Sequence, residues 1–366
     1  MAEQLTNYQC PNCNGPLKFD PITQKLKCEQ CGSSFTTDEI DQYFYESNQQ
    51  AIHVDDATKQ KEVAESLQWS EEEAKTMRAY TCPSCGAQLI ADENTAATSC
   101  PYCGNPTVVP KQFDGSLKPD YIIPFKLIKE DAVNKLKDFY KDKPFLPNEF
   151  TEENHIEEIK GVYVPFWLYD GNVTTHLRAH GTRSHSITTH DEIITTTYHF
   201  RIERDGDVEF NMVPADASSK MPDDFMDSIE PFDYGELVPF QMSYLPGYLA
   251  DKYDVSSEED EDRVDKRVAN TSIQLLRSTI TEYATCTLEK QSSEIHPRTV
   301  HYAFLPVWLL STQFQGKNYL FAMNGQTGKM IGDDLPTDTK KILGLFAFIT
   351  VIGIVLLYVI LFILMR

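Results

Sequence analysis

Eight cysteines set the first constraint on this chain. They form two clusters, Cys10-Pro-Asn-Cys13 with Cys28-Glu-Gln-Cys31 and Cys82-Pro-Ser-Cys85 with Cys100-Pro-Tyr-Cys103, and in each cluster 14 residues separate the two Cys-x-x-Cys pairs. Equal spacing marks an internal duplication, and two such pairs supply the four thiolates that tetrahedral structural zinc prefers. Each pair is expected to cap a β-hairpin, which predicts zinc ribbons over 8–36 and 80–110 with one structural zinc ion each. Gly32, Gly86 and Gly104 follow three of the pairs, and Asn14-Gly15 follows the fourth, residues that tolerate the tight turn bringing amides toward the sulfurs. A ribbon of roughly 30 residues has too little core to fold alone, so zinc would supply most of its folding free energy. Four protein ligands leave no open position for water, which argues against a catalytic zinc. A redox role would need a βαβ context and gains nothing from a second pair at fixed distance. The ninth cysteine, Cys286, stands alone and reads as a small buried hydrophobe.

Charge decides what such ribbons can touch. Lys plus Arg number 33 against 55 Asp plus Glu, a net charge of −22, and such a field repels polyanions. Between Tyr80 and Pro106 there is no Lys or Arg, and in the first ribbon Lys18, Lys25 and Lys27 are nearly balanced by Asp20 and Glu29. Phosphate contacts need several cations on one face, so protein is the favoured partner and nucleic acid the weaker alternative.

Residues 37–79 are acidic and free of Pro and Gly, which suits a helical linker. Trp69-Ser70-Glu71-Glu72-Glu73 reads as a helix start, and exposed Tyr43, Phe44, Tyr45 and Trp69 would make the linker a docking helix rather than a plain spacer.

From 120 to 335 the composition becomes that of an α+β domain. Ile122-Ile123-Pro124-Phe125 is echoed by Leu237-Val238-Pro239-Phe240, and Val162-Tyr163-Val164-Pro165-Phe166-Trp167-Leu168 by Tyr302-Ala303-Phe304-Leu305-Pro306-Val307-Trp308-Leu309. Helical stretches, Lys129 to Lys141 and Glu258 to Tyr283, lie between the members, which reads as a duplicated strand-helix-strand unit. Pro165 and Pro306 are expected at strand starts or edges, with Trp167 and Trp308 as core anchors. The stretch Tyr319 to Lys329 alternates into Asn324-Gly325 and predicts a hairpin; its Gly-Gln-Thr-Gly-Lys-Met fails the phosphate-loop spacing. His176, His180, His185, His190 and His199 alternate with Ser and Thr as in exposed strands, with metal binding or proton sensing as the sharper reading. No catalytic constellation emerges from spacing, so no enzyme is expected; a pocket with convergent polar groups would revive one.

Ile342 to Met365 is an uninterrupted apolar run whose 24 residues, at about 1.5 Å each, cover roughly 36 Å, enough to cross a bilayer. Lys340 and Lys341 precede it, and no basic start followed by an apolar run opens the chain. Both features predict a single-pass, tail-anchored protein of the cell membrane with its N-terminal bulk in the cytoplasm. The ribbons, the Pro-x-Trp-Leu strands, the Asn-Gly-Gln-Thr-Gly-Lys turn and the terminal run together resemble the YdjG-like membrane zinc-ribbon proteins of Firmicutes, some of which are labelled primosomal helicase relatives. That resemblance implies a non-enzymatic scaffold or adaptor of the envelope-stress response that binds a phage-shock protein A homologue and flotillin-like or virion-core-like partners. The alternative is a membrane-tethered nucleic-acid-binding regulator or replication factor, which the missing Walker motif and basic surface do not favour.

Overall fold

The computed structural model describes residues 10–13, 17–40, 42, 69, 73–74, 77–92, 95, 99–105, 109–111, 117–141, 143–151, 159–189 and 192–364. Nearly all of the expected linker, with Tyr43, Phe44 and Tyr45, lies outside the described residues, as does His190.

Two sheets organise the described chain. The first ribbon is a three-stranded sheet of β1 (Leu17–Asp20), β2 (Lys25–Cys28) and β3 (Ser34–Phe35). Alternation buries Leu17, Phe19, Leu26 and Cys28 and leaves Lys18 and Lys27 exposed. The second ribbon, β4 (Met77–Thr81), β5 (Gln88–Asp92) and β6 (Val109–Lys111), belongs to a twelve-stranded sheet. The rest of that sheet comes from the middle of the chain, which is mostly strand with a few helices. In chain order it contains β7 (Tyr121–Ile122), α1 (Lys129–Lys141), β8 (Lys160–Thr188), β9 (Ile193–Asp216), α2 (Asp223–Ile229), β10 (Val238–Pro239) and β11 (Leu249–Asp251). Then follow α3 (Ser257–Ser278), β12 (Thr285–Ile295), β13 (Thr299–Phe314), β14 (Lys317–Asn324) and β15 (Met330–Gly332). The path through the sheet runs β10-β7-β13-β8-β11-β5-β4-β6, with β9 and β12 on β8 and the β14–β15 hairpin on β13. That hairpin is the one expected from Asn324-Gly325.

The antiparallel pair β8–β13 is the spine, and Pro165 and Pro306 lie within it rather than at strand starts or edges. Each proline sits where the neighbouring strand changes. Beside β8, β11 pairs with Val162 and Tyr163 and β9 takes over from Phe166; beside β13, β7 pairs with Ala303 and Phe304 and β14 takes over from Val307. At these gaps the ladder needs no N–H, while the carbonyls of Pro165 and Pro306 still accept from Ala217 and Gly325.

The two tryptophans make matching contacts. Trp167 donates to the carbonyl of Val255 and meets the Tyr253 ring edge-on at 5.4 Å; Trp308 donates to the carbonyl of Leu127 and meets Phe125 at 5.1 Å. Val255 and Leu127 each lie two residues before a helix, α3 and α1. A capping box between Ser256 and Glu259 starts α3, so the acidic run there is a helix start.

Beyond Asp170, β8 leaves the spine and forms a long arm with β9 and β12. Leu276 of α3 packs with Leu177, Ala179 and Ile202 on one face of that arm. Cys286 is half-buried against this cluster. Trp69, expected on an exposed docking surface, is buried edge-on against Phe240, because the sheet offers an aromatic core that a local helix reading does not register. The last helix, α4 (Thr339–Leu364), is long and apolar enough to cross a membrane, and its apolar window is wholly exposed. Its base is fixed: the Asp338 amide donates to the carbonyl of Phe145, and Lys341 Nζ donates to Leu146 O and Asn148 Oδ1, both at 2.6 Å.

Replacing Trp308 or Trp167 by Phe keeps an aromatic ring but removes the indole N–H, leaving the part-buried Leu127 or Val255 carbonyl without its donor. Each change is expected to lower unfolding stability by about 1–3 kcal/mol, with similar losses for the two, as read by denaturant titration.

Candidate metal centres

Each cluster is built from two knuckles at the end of a hairpin. In three of the four knuckles the same closure recurs: the Gly32, Gly86 and Gly104 amides donate to the carbonyls of Cys28, Cys82 and Cys100 at 3.0, 2.9 and 3.1 Å. The first cysteine of each then donates its own amide to the carbonyl of Ser33, Ala87 or Asn105. These glycines adopt φ of 74°, 76° and 69°, which a side chain would strain. In the fourth knuckle the residues at the corresponding positions, Asn14 and Gly15, lie outside the described residues.

The closures bring all eight predicted cysteines into two groups, Cys10, Cys13, Cys28 and Cys31, and Cys82, Cys85, Cys100 and Cys103. Within each group the four sulfurs lie within 4.8 Å of one another. The closest Sγ pairs are 3.5 and 3.4 Å apart in the first group and 3.6 Å in the second. A tetrahedron with zinc–sulfur bonds of about 2.3 Å has edges of about 3.8 Å, so both groups fit a zinc ion with small adjustment.

The thiols differ within each group. Hydrogen bonds from the Ser33 side chain and amide hold Cys31 down at about 6, whereas burial pushes Cys10 up. At Cys82 burial raises the thiol, and the Cys85 and Ser84 amides more than offset it, leaving about 7; burial pushes Cys85 to about 11 and Cys100 further up. A metal ion entering either group displaces protons from the buried thiols, which makes its affinity depend on pH.

The surroundings differ more. Cys10 and Cys28 share a small core with Leu17, Leu26 and Ile40, and the first ribbon reaches the sheet through Phe19, whose amide donates to Pro246 O and whose ring meets Tyr244 at 5.2 Å. Cys82 and Cys100 instead belong to the core that contains Val162, Val164, Ala303 and Leu305 of the spine. Tyr102, between the last two cysteines, donates to Asp251 Oδ2 at 2.6 Å, and Ser218 donates to the same oxygen at 2.6 Å. Local spacing gives no hint of this contact, since Tyr102 and Asp251 lie 149 positions apart. Sequence reasoning also passes over Asp216, buried on β9 and ion-paired with Arg263 at 2.9 Å, which is indistinguishable from the many surface acids.

The histidines lie where alternation puts them. His176, on the exposed face of the arm, pairs with Asp205 at 2.7 Å; His180 stacks on His199, their ring nitrogens 3.1 Å apart. His185 is exposed near the arm's end. Among the described residues no third metal-ligating side chain converges on any of them.

The chain is 33% identical over 330 residues to the uncharacterised protein YdjG of Bacillus subtilis (strain 168), which covers 90% of this chain and 89% of that protein. No family model matches the chain, and no solved structure does.

Burial pushes Asp251 up to about 7 even though Ser218 and Tyr102 donate to it, against about 3.9 in an unfolded chain. With the folded value the higher one, its contribution to stability is complete below the unfolded value and is lost as pH rises through 7. Unfolding measurements from pH 5.5 to 8, with metal content held constant, should show a downward slope that flattens in Asp251→Asn.

Proposed function

Because the chain belongs to the YdjG family, we propose that it is a membrane-anchored scaffold, held together by two structural zinc ions, that gathers protein partners on the cytoplasmic face of the cell membrane. The observation that carries this reading is the arm. Of the 29 residues of β8, the 18 beyond Asp170 run along it, on the order of 60 Å at about 3.3 Å per residue. At its far end Ile187, Ile193, Ile194 and Tyr198 are each more than half exposed. Clustered apolar side chains are costly to leave in water and mark a contact surface. The first ribbon, whose cysteines sit in a small core of their own, supplies a second surface. The absence of Lys and Arg between Tyr80 and Pro106, around the second cysteine cluster, favours protein over nucleic acid.

Zinc is the metal that four thiolates at these distances favour, and closed coordination suits a structural role. The paired contacts of Trp167 and Trp308, and the two prolines at strand changes, support descent of the middle domain from a duplicated strand-helix-strand unit. In that duplication the counterpart of β7 is β11 rather than Leu237 to Phe240. Strand β11 pairs in parallel with Val162 and Tyr163 as β7 does with Ala303 and Phe304, whereas β10 merely lies antiparallel to β7.

Metal analysis of detergent-extracted protein is expected to give two zinc ions per chain. Cys31→Ser should leave one ion and the main unfolding transition in place. Cys100→Ser should also remove one but collapse the main transition, since binding worth on the order of 10 kcal/mol is lost inside the spine's own core.

Affinity capture from membrane extracts tests the scaffold. The wild type should retain specific proteins, the phage-shock protein A homologue and flotillin-like or virion-core-like proteins being the first to probe. Ile187→Asp with Ile194→Asp should release them with zinc content and melting temperature unchanged. Retention of nucleic acid that weakens steeply with salt, and of no protein, overturns the reading.

A further inference from the structure

A cavity of about 860 Å³ opens between the first ribbon and the sheet, a size usual for small-molecule sites and a position, between two folded units, where such sites concentrate. One side is formed by β1 and β2, and the other by the start of α1 with the start of β8. Phe19, Tyr248 and Trp308 line it as an apolar floor. The floor is preorganised: Phe125 stacks on Tyr248 at 4.2 Å and meets Trp308 edge-on at 5.1 Å. A side chain at Gly161 would strike the Tyr248 ring at 2.5 Å, so glycine there keeps the ring in place.

The charge of this cavity runs against that of the chain. Four lysines, Lys18, Lys27, Lys129 and Lys160, line it with three acids, Asp20, Glu29 and Glu130, a local balance of +1 in a protein of −22. Asp20 is occupied in its own turn, accepting from the Ile22 amide and the Thr23 hydroxyl at 3.0 Å. Lys160 donates to the carbonyl of Ser99, which ties the far wall to the second ribbon.

Lys18 and Lys27 are the telling pair. They are direct cross-strand partners that both line the cavity, and neither forms an ion pair among the described residues. Like charges placed directly opposite each other destabilise a sheet. A monoanion between them would leave one charge uncompensated, whereas a phosphate monoester, whose second ionisation lies near pH 6, brings nearly two charges and three acceptor oxygens. We propose that this cavity binds a phosphate monoester with an apolar or aromatic body, the phosphate seated between Lys18 and Lys27 and the body on Tyr248 and Trp308. Because its walls belong to both units, the ligand braces the first ribbon against the sheet.

The test is calorimetric titration of the full chain in neutral phosphatidylcholine nanodiscs with phenyl phosphate, with inorganic phosphate as competitor, and separately with short-chain phosphatidic acid. Phenyl phosphate should saturate, inorganic phosphate should displace it, and Lys18→Gln with Lys27→Gln should weaken it at least tenfold at unchanged zinc content. The same double variant should melt higher than wild type without ligand, because the repulsion is gone, and Lys25→Gln should change neither property. Saturation by phosphatidic acid with no response to phenyl phosphate assigns the same phosphate chemistry to a lipid headgroup. No saturation by either probe up to millimolar concentration, or equal binding by the double variant, overturns the proposal.

Discussion

The pairing of β8 with β13 is the contact on which the rest of the molecule depends. Strands this long are prone to register slippage, and a slip of one residue turns every side chain to the opposite face. Here the register is pinned from both sides. Moving either strand by one position would push Pro165 or Pro306 into a ladder that needs an N–H, and would pull Trp167 or Trp308 away from the carbonyl ahead of its helix. The prolines thus determine where β11 gives way to β9 and β7 to β14, and the tryptophans determine where α3 and α1 begin to cover the sheet.

The two metal centres relate differently to that spine. The second shares its hydrophobic core, and it is joined to β11 by strand pairing through β5 and by the Tyr102–Asp251 hydrogen bond. A carboxylate kept this deep is costly unless its oxygens are satisfied, so Asp251 commits both the knuckle and Ser218 to one arrangement. The first centre has a core of its own with five buried residues and meets the sheet mainly through Phe19 and the Gln24 side chain, which donates to the carbonyl of Phe125 at 2.8 Å. Two motifs with identical cysteine spacing therefore do different work: one is part of the core, the other is clipped onto it.

What could be read in advance was whatever local chemistry dictates. Cysteine spacing located both centres, Asn324-Gly325 located a hairpin, and the apolar run located α4 within a few residues of its bounds. The polar residues of that hairpin turn were legible as a turn but not as a buried one. Asn324 is fully buried, and its side chain donates to Ile229 O while accepting from the Gln326 and Thr327 amides. Contacts between distant segments left no local trace. The burial of Trp69, the prolines inside the spine, the Tyr102–Asp251 bond and the cavity beside Lys18 all depend on segments more than a hundred positions apart meeting in space. The echo between Ile122 to Phe125 and Leu237 to Phe240 shows the same limit: similar short strings became neighbours, whereas the strand in the matching topological place, β11, has a different sequence.

The arm carries its own constraint on how a scaffold of this kind would be used. Among the described residues β9 pairs only with β8, so its 24 residues present an outer edge, and a long bare edge invites unwanted strand pairing. Charge guards most of it. Arg201, Glu203, Arg204, Asp205, Asp207 and Glu209 line the strand, and Arg178 and His176 on β8 answer Glu203 and Asp205 across the ladder. From Ile193 to Phe200 that protection stops: the strand carries no Asp, Glu, Lys or Arg, the cross-strand pairs are Ser184–Thr197 and Ser186–Thr195, and the isoleucines stand exposed. The charged stretch also lies under α3, whose Leu276 packs on Ile202, whereas Ile193 to His199 are exposed on both faces. Edge pairing and apolar docking are thereby both confined to the last few residues of the arm, so a partner held there would sit far from the body of the sheet and leave the first ribbon open to a second contact.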